Sequence, residues 1–247
     1  MLKLAEAFQG RALFVAEHAG RIRFANFTID GNREALEQRM DLPPSDVPFA
    51  RFTRNNGILA EDVEGLDVAE VKFRSIAGFA ILVSRSRDVR VERVRVESSG
   101  SRNGKGRNNT TGGILFEEGT ARFRAKANVL DQVRGNGIWT HSLYGSPRNR
   151  DGEISDNQFR EIGRDAIQAG HATGIRVERN SGSRIGFPAE AVDIENGAIP
   201  VAIDTAGNVD RSIYADNRFE KISGKCIDLD GFHDGEVRGN QNLDLCS

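Results

Sequence analysis

Four aspartates fall where a strand turns side chains outward: Asp193, Asp204, Asp228 and, two residues beyond the last, Asp230. Each of the first three follows an apolar residue (Val192, Ile203, Ile227) at an inward position. The same outward position elsewhere holds Leu59, Leu82, Leu115, Trp139 and Gln168, and two residues further along come Glu61, Glu117, His141 and Glu195. His171 and His233 follow at the turn just beyond. Carboxylates stacked about 4.8 Å apart raise one another's pKa, so one becomes a general acid while its neighbour stays a base or nucleophile. Separations of about 5–5.5 Å suit retaining glycoside hydrolysis and about 6.5–9.5 Å inverting hydrolysis. Asp193, Asp204, Asp228 and Asp230 are therefore the candidate catalytic residues, with His171 and His233 as proton-transfer partners. Glu117, Trp139, His141, Gln168 and Glu195 form the candidate substrate-binding set, Trp139 serving as a platform for a sugar ring. A merely solvated acidic face is the competing account, but these strand columns show no interspersed Lys or Arg.

What positions this column is a repeat. One period runs from Asn157 to Asn180: Asn, Phe159, Ile162, a Gly, Ala166-Ile167, a turn at Gly170–Gly174, then Ile175 and Val177 before the next Asn. The Asn position is filled along the chain by Phe27, Val71, Val94, Asn128, Asn157, Asn180, Asn217 and Asn240. Three of the gaps are 23 residues and the others are that period plus a loop. Two residues on lie Ile29, Phe73, Val96, Leu130, Phe159 and Phe219; three before lie Phe24, Val68, Val91, Ala125, Ile154, Val177, Tyr214 and Val237. Short alternating runs of Val, Ile and Phe between Gly, Asn, Asp and Ser are strands between turns. About three short strands per turn, stacked in parallel, make a β-solenoid. The Asn ladder has a structural reading, with stacked buried amides bonding rung to rung.

In these columns the chain resembles the right-handed parallel β-helix repeat proteins of the pectate lyase-like superfamily, over nearly its whole length from about residue 12 to 240. The resemblance implies an all-β, right-handed parallel β-helix of about eight rungs, one domain over 1–247. It also implies a polysaccharide or oligosaccharide partner, processed by a glycoside hydrolase or polysaccharide lyase. Polygalacturonase-like hydrolases would carry an Asp pair, Gly-His-Gly and Arg-Ile-Lys; this chain has Gly170-His171-Ala172, no adjacent Asp-Asp and no Arg-Ile-Lys. Lyase chemistry would need a base and a cation, and calcium held by Asp193, Glu195, Asp204 and Asp228 could supply the charge. Apart from that case no cofactor is implied. The run Asp228–Asp234 loosely resembles the His and Asp cluster of polyuronate epimerases. The alternative is a non-catalytic carbohydrate-binding or surface-structural β-helix.

Composition bounds the rest. With 34 basic and 36 acidic residues there is no overall bias toward nucleic acid or an anionic membrane. No stretch of 18 apolar residues spans a membrane, and the N-terminus lacks the apolar core of a secretory signal. An extracellular or periplasmic setting is expected if the chain is part of a longer family member, and the absence of an obvious C-terminal cap fits a piece of a longer solenoid. Cys226 and Cys246 allow a disulfide but fall in different columns. Leu2, Ala5 and Phe8 lie at helical spacing, predicting a short capping helix over 2–9. Residues 32–55 read as a polar loop, and 100–112, with no apolar residue, as a mobile basic loop.

Overall fold

Period-2 alternation gives each repeat three short strands, one for each face of a coil. The computed structural model describes residues 1–39, 41–108, 110–193 and 199–242. In one repeat Ile114–Glu117 lies on the first face, Ala121–Lys126 on the second and Val129–Val133 on the third. Each strand pairs in parallel with its counterpart one repeat on. Ile81, Ile114 and Ile138 are neighbours on the first face, Val91, Ala125 and Ile154 on the second, and Val96, Leu130 and Phe159 on the third. The strand Ile167–Glu178 passes from the first face to the second without a break, so those two faces form one sheet and the third another. The chain is a parallel β-helix.

The inward columns fill the coil. Ile58, Ile81, Ile138 and Ile167 are fully buried, each contributing about 1.5–3 kcal/mol. At the corner between second and third faces the Asn ladder forms as the sequence implies. Asn128 N–H donates to Asn157 Oδ1 at 2.9 Å, Asn157 N–H to Asn180 Oδ1 at 3.0 Å, and Asn180 N–H to Asn217 Oδ1 at 3.0 Å. Each Nδ2 donates in turn to a carbonyl on the strand of an earlier repeat, such as Ala125 O or Ile154 O. The apolar column from Ile29 to Phe219 is interrupted at Gly182. A Cβ there would lie 2.9 Å from both Phe159 and Phe219, whose rings occupy the space from the rungs on either side.

Several expectations fail for physical reasons. Residues 2–9 form no helix: Leu2–Lys3 is a strand paired with Ile29 and Asp30. Eight residues are marginal for an isolated helix, whereas the open sheet edge offers a ready ladder; Leu4 then buries against Leu36 and Ala77. The 32–55 excursion is not a free loop. It carries helices Arg33–Leu36 and Phe49–Phe52 and lies across the outside of the first face. Phe49, Ala50 and Phe79 there form a second small core with the outward Leu59, Leu82, Leu115 and Trp139. The 100–112 excursion is fastened by polar contacts: Ser101 Oγ donates to Ala77 O, and Asn108 N–H to Ala191 O at 2.6 Å. Lacking apolar anchors, it uses hydrogen bonds instead. Cys226 is buried and disulfide-bonded; Cys246 lies outside the described residues.

Candidate functional site

On the first face the outward column reads Leu82, Leu115, Trp139, Gln168 and Asp204 in register. Asp228 follows, since Ile203 pairs with Ile227. Gln168 bridges its neighbours: Asn136 Nδ2 donates to Gln168 Oε1 at 2.9 Å, and Gln168 Nε2 donates to Asp204 Oδ2 at 2.6 Å. Asp204 and Asp228 line a cavity of about 220 Å³ with Arg164, Asp165, Gln168 and Lys225. The two carboxyl groups titrate in opposite directions. Burial, and then the Asp228 charge, push Asp204 above the usual carboxylate range, against the hydrogen bond from Gln168. Asp228 is held below it, chiefly by Lys225, whose Nζ donates to Oδ2 at 2.7 Å, with help from the Asp230 N–H on Oδ1.

Asp165 joins them and was not foreseen. It is nearly fully buried, and desolvation, with Asp204 beside it, raises its pKa to about 7. Its Oδ1 accepts the Val201 N–H at 2.7 Å. The signal was in the sequence: Asn56, Asn136 and Asp165 each stand two residues before an inward Ile. Asn56 Oδ1 and Asn136 Oδ1 accept backbone N–H groups from the next rung in the same way. Asp165 is therefore an acid in a corner position built for an amide.

Beyond Arg164 and Gln168, which line both, a second cavity of about 340 Å³ adjoins the acidic one. Its walls include Trp139, His141, Tyr144 and His171, roofed by Leu42–Val47 of the first excursion. Tyr144 is strongly exposed and meets the His171 ring edge-on at 4.2 Å. His141 is pushed down to about 4 by burial and by His171, so it is neutral at pH 7. Trp139 Nε1 is buried without a hydrogen-bond partner among the described residues. A larger depression, about 630 Å³, lies elsewhere, on the third face. Its walls are open strand surface, where Asp131 pairs with Arg160 rather than facing another acid.

The structure thus gathers Asp204, Asp228, Gln168 and, from another segment, Asp193. Asp193 does not sit on the strand, because Ile167 pairs with Ile203 and skips Val192. It lies in the 186–200 excursion, reaches the same cavity, and accepts a hydrogen bond from Asn103 Nδ2. Glu195 lies outside the described residues. Asp230 is exposed past the end of the strand. His233 is carried round the corner beside Asp210, and His171 stands at a register shift, lining the aromatic cavity rather than the acidic one. Glu117 is fully buried, its oxygens accepting the Phe49 and Ala50 N–H groups at 2.9 Å. It anchors the excursion and is closed to substrate. Trp139 is 7% exposed, packed under Phe49 at 4.9 Å, so it forms a cavity wall and not an open platform. Basic groups are not missing either: Lys225 opens its strand and Arg164 lines both cavities. Among the described residues no three His, Cys, Asp or Glu side chains group as a metal site. Of the four residues that calcium would use, Asp204 and Asp228 are bonded to Gln168 and Lys225, Asp193 is bonded to Asn103, and Glu195 lies outside the described residues.

No protein-family model matches the chain, and neither does any curated protein. Solved structures do. The chain is similar to the Streptococcus pneumoniae surface protein and adhesin PfbA (13% identity, TM-score 0.65), covering 90% of this chain and 64% of that one. It is also similar to the GH136 lacto-N-biosidase from Eubacterium ramulus (16% identity, TM-score 0.55), covering 75% of this chain and 38% of that one. The chain therefore spans under two thirds of the length of either, and what it shares with them is the parallel β-helix fold.

Proposed function

We propose that this right-handed coil of about eight rungs, a single solenoid domain, cleaves a glycan bound along the first face. The observation that carries this is the opposite displacement of two carboxyl groups on adjacent rungs of one cavity: Asp204 upward by burial, Asp228 downward by Lys225. Such a split is how one site runs acid and base roles together. Asp204, protonated, donates to the glycosidic oxygen as its bond to the anomeric carbon breaks. Asp228, ionised, meets the anomeric carbon or takes a proton from the water that bonds to it. The leaving sugar keeps the proton from Asp204, and the other fragment gains the water oxygen. Gln168 fixes the Asp204 carboxyl, and the aromatic cavity next door takes a neighbouring sugar ring. The lacto-N-biosidase shows that the same fold can carry glycan hydrolysis. A surface or extracellular place of action, as for PfbA, belongs to the same proposal.

A second reading is a glycan-binding module without turnover. It is favoured by the likeness to an adhesin and by Lys225, which already neutralises Asp228. A screen over neutral and uronic polysaccharides separates the two readings, following reducing ends and absorbance at 235 nm separately. Reducing ends alone support hydrolysis, and an unsaturated product means elimination. Glycan binding by calorimetry with neither signal leaves the binding module.

A further inference from the structure

Three excursions, remote in sequence, meet at Phe187, Pro188 and Ala191, just before the Val192 and Asp193 that line the acidic cavity. They enclose a cavity of about 210 Å³ lined by Arg33, Arg102, Arg134, Asn108, Gln132 and one acid, Glu161, with Phe187 and Pro188 closing one wall. Its charges are unevenly matched. Glu37 lies on Arg134 at 2.8 Å and Glu161 faces Arg184 at 3.7 Å, while Glu34 is exposed. Arg33 donates to the carbonyl of Ser98 and has no carboxylate partner among the described residues. Arg102 gives its backbone N–H to Glu37, but among the described residues its guanidinium is bound to no acid and its buried Nε has no acceptor. A buried guanidinium N–H without an acceptor is costly, and the three guanidinium groups beside this one cavity repel. Burial and the charges of Arg134 and Arg102 accordingly draw Arg33 down to about 10, against Glu37 and Glu34. Guanidinium forks match planar or tetrahedral oxyanions, and Asn108 and Gln132 add neutral donors.

We infer that this arginine-lined cavity is a binding site for an oxyanion, a carboxylate or sulfate group, free or carried on a saccharide. An oxyanion offers acceptors to the Arg33 and Arg102 guanidinium groups, which bind no acid among the described residues, and offsets the repulsion among the three guanidinium groups. The site is separate from the acidic cavity, so it stands whether or not the protein cleaves glycans.

The test is calorimetric titration of the intact chain at constant ionic strength with sodium sulfate, sodium glucuronate and, as a neutral control, glucose. One saturable site for sulfate or glucuronate and none for glucose is expected. Saturation by glucuronate and not sulfate identifies a saccharide carboxylate as the source, and the reverse a free ion. Arg102→Gln should weaken binding tenfold or more, as loss of a charged hydrogen bond predicts. General stabilisation by excluded sulfate would persist in that variant. No saturable binding by the wild-type protein overturns the inference, as does binding that a folded Arg102→Gln chain retains unchanged.

Discussion

The first and second faces of this coil use the same backbone spacing for opposite ends. On the second face, outward charges of both signs are interspersed: Arg23 lies beside Asp67 at 3.3 Å and Arg124 beside Glu153 at 2.8 Å. These pairs are largely exposed, so solvent screens them and they do little beyond keeping the sheet soluble. On the first face Asp204 is followed by Asp228 one rung on, and excursions lie over the column. Asp204 is largely withdrawn from water, and Asp165 almost wholly so. Burial, more than residue type, turns a row of carboxylates into a site.

That contrast can be tested from its strongest consequence downward. Asp204→Asn and Asp228→Asn should each reduce turnover of the glycan found in the screen by about 10²-fold or more, the range for a positioned acid or base. Initial rates of reducing-end release read this, and an unchanged rate for both would remove the catalytic account of the face. On the third face, Ile162→Ala should cost about 2–5 kcal/mol, because the residue is fully buried between Val133 and Ile185; denaturant unfolding measures it. Glu117→Gln should cost about 1–3 kcal/mol, since one of the two N–H groups of the Phe49–Phe52 helix loses its acceptor in a dry setting. The loss should appear with increased exchange of the Phe49 and Ala50 amides.

A pH effect comes next. Asp165 has its pKa raised from 3.8 to about 7, so the folded chain holds this proton more tightly than the unfolded one. Its contribution to stability is complete below about pH 4 and is lost as pH rises through about 7. Asp165→Asn should flatten the part of the melting-temperature profile between those values, and a profile of unchanged slope would mean the group does not titrate there. Smallest of all is the second face. Arg122→Ala removes an exposed pair with Asp88 and should leave the melting temperature where it was.

The contrast was partly legible in the residues themselves. The inward columns required parallel stacking, because side chains of period 2 at a period of 23 residues can be buried only by the neighbouring repeat. Registers such as Val91–Ala125–Ile154–Val177–Tyr214 follow the sequence columns residue for residue. The pairing of Asp204 with Asp228 was readable for the same reason. The covering of the first face was readable too: Leu59, Leu82 and Leu115 point outward in succession, and three apolar side chains in one row call for a roof.

Where the insertions go is another matter. Columns report what repeats, and an excursion of 24 residues such as 32–55 has no counterpart to align with. Its path across the first face is fixed by Phe49 on Trp139 and by Glu117 at the helix N-terminus, contacts between residues 67 to 90 positions apart. That path closed Glu117 to substrate and made Trp139 a wall. The 186–200 excursion similarly took Asp193 off the strand while keeping it at the cavity, and the corner after Asp228 carried His233 away. Sequence alone determined the coil, its core and the stacked acids, because these depend on local alternation and a repeated period. Only the tertiary structure decided which acids lie dry enough to hold a proton near neutral pH. Desolvation is set by everything packed around a group, including chain far away in sequence.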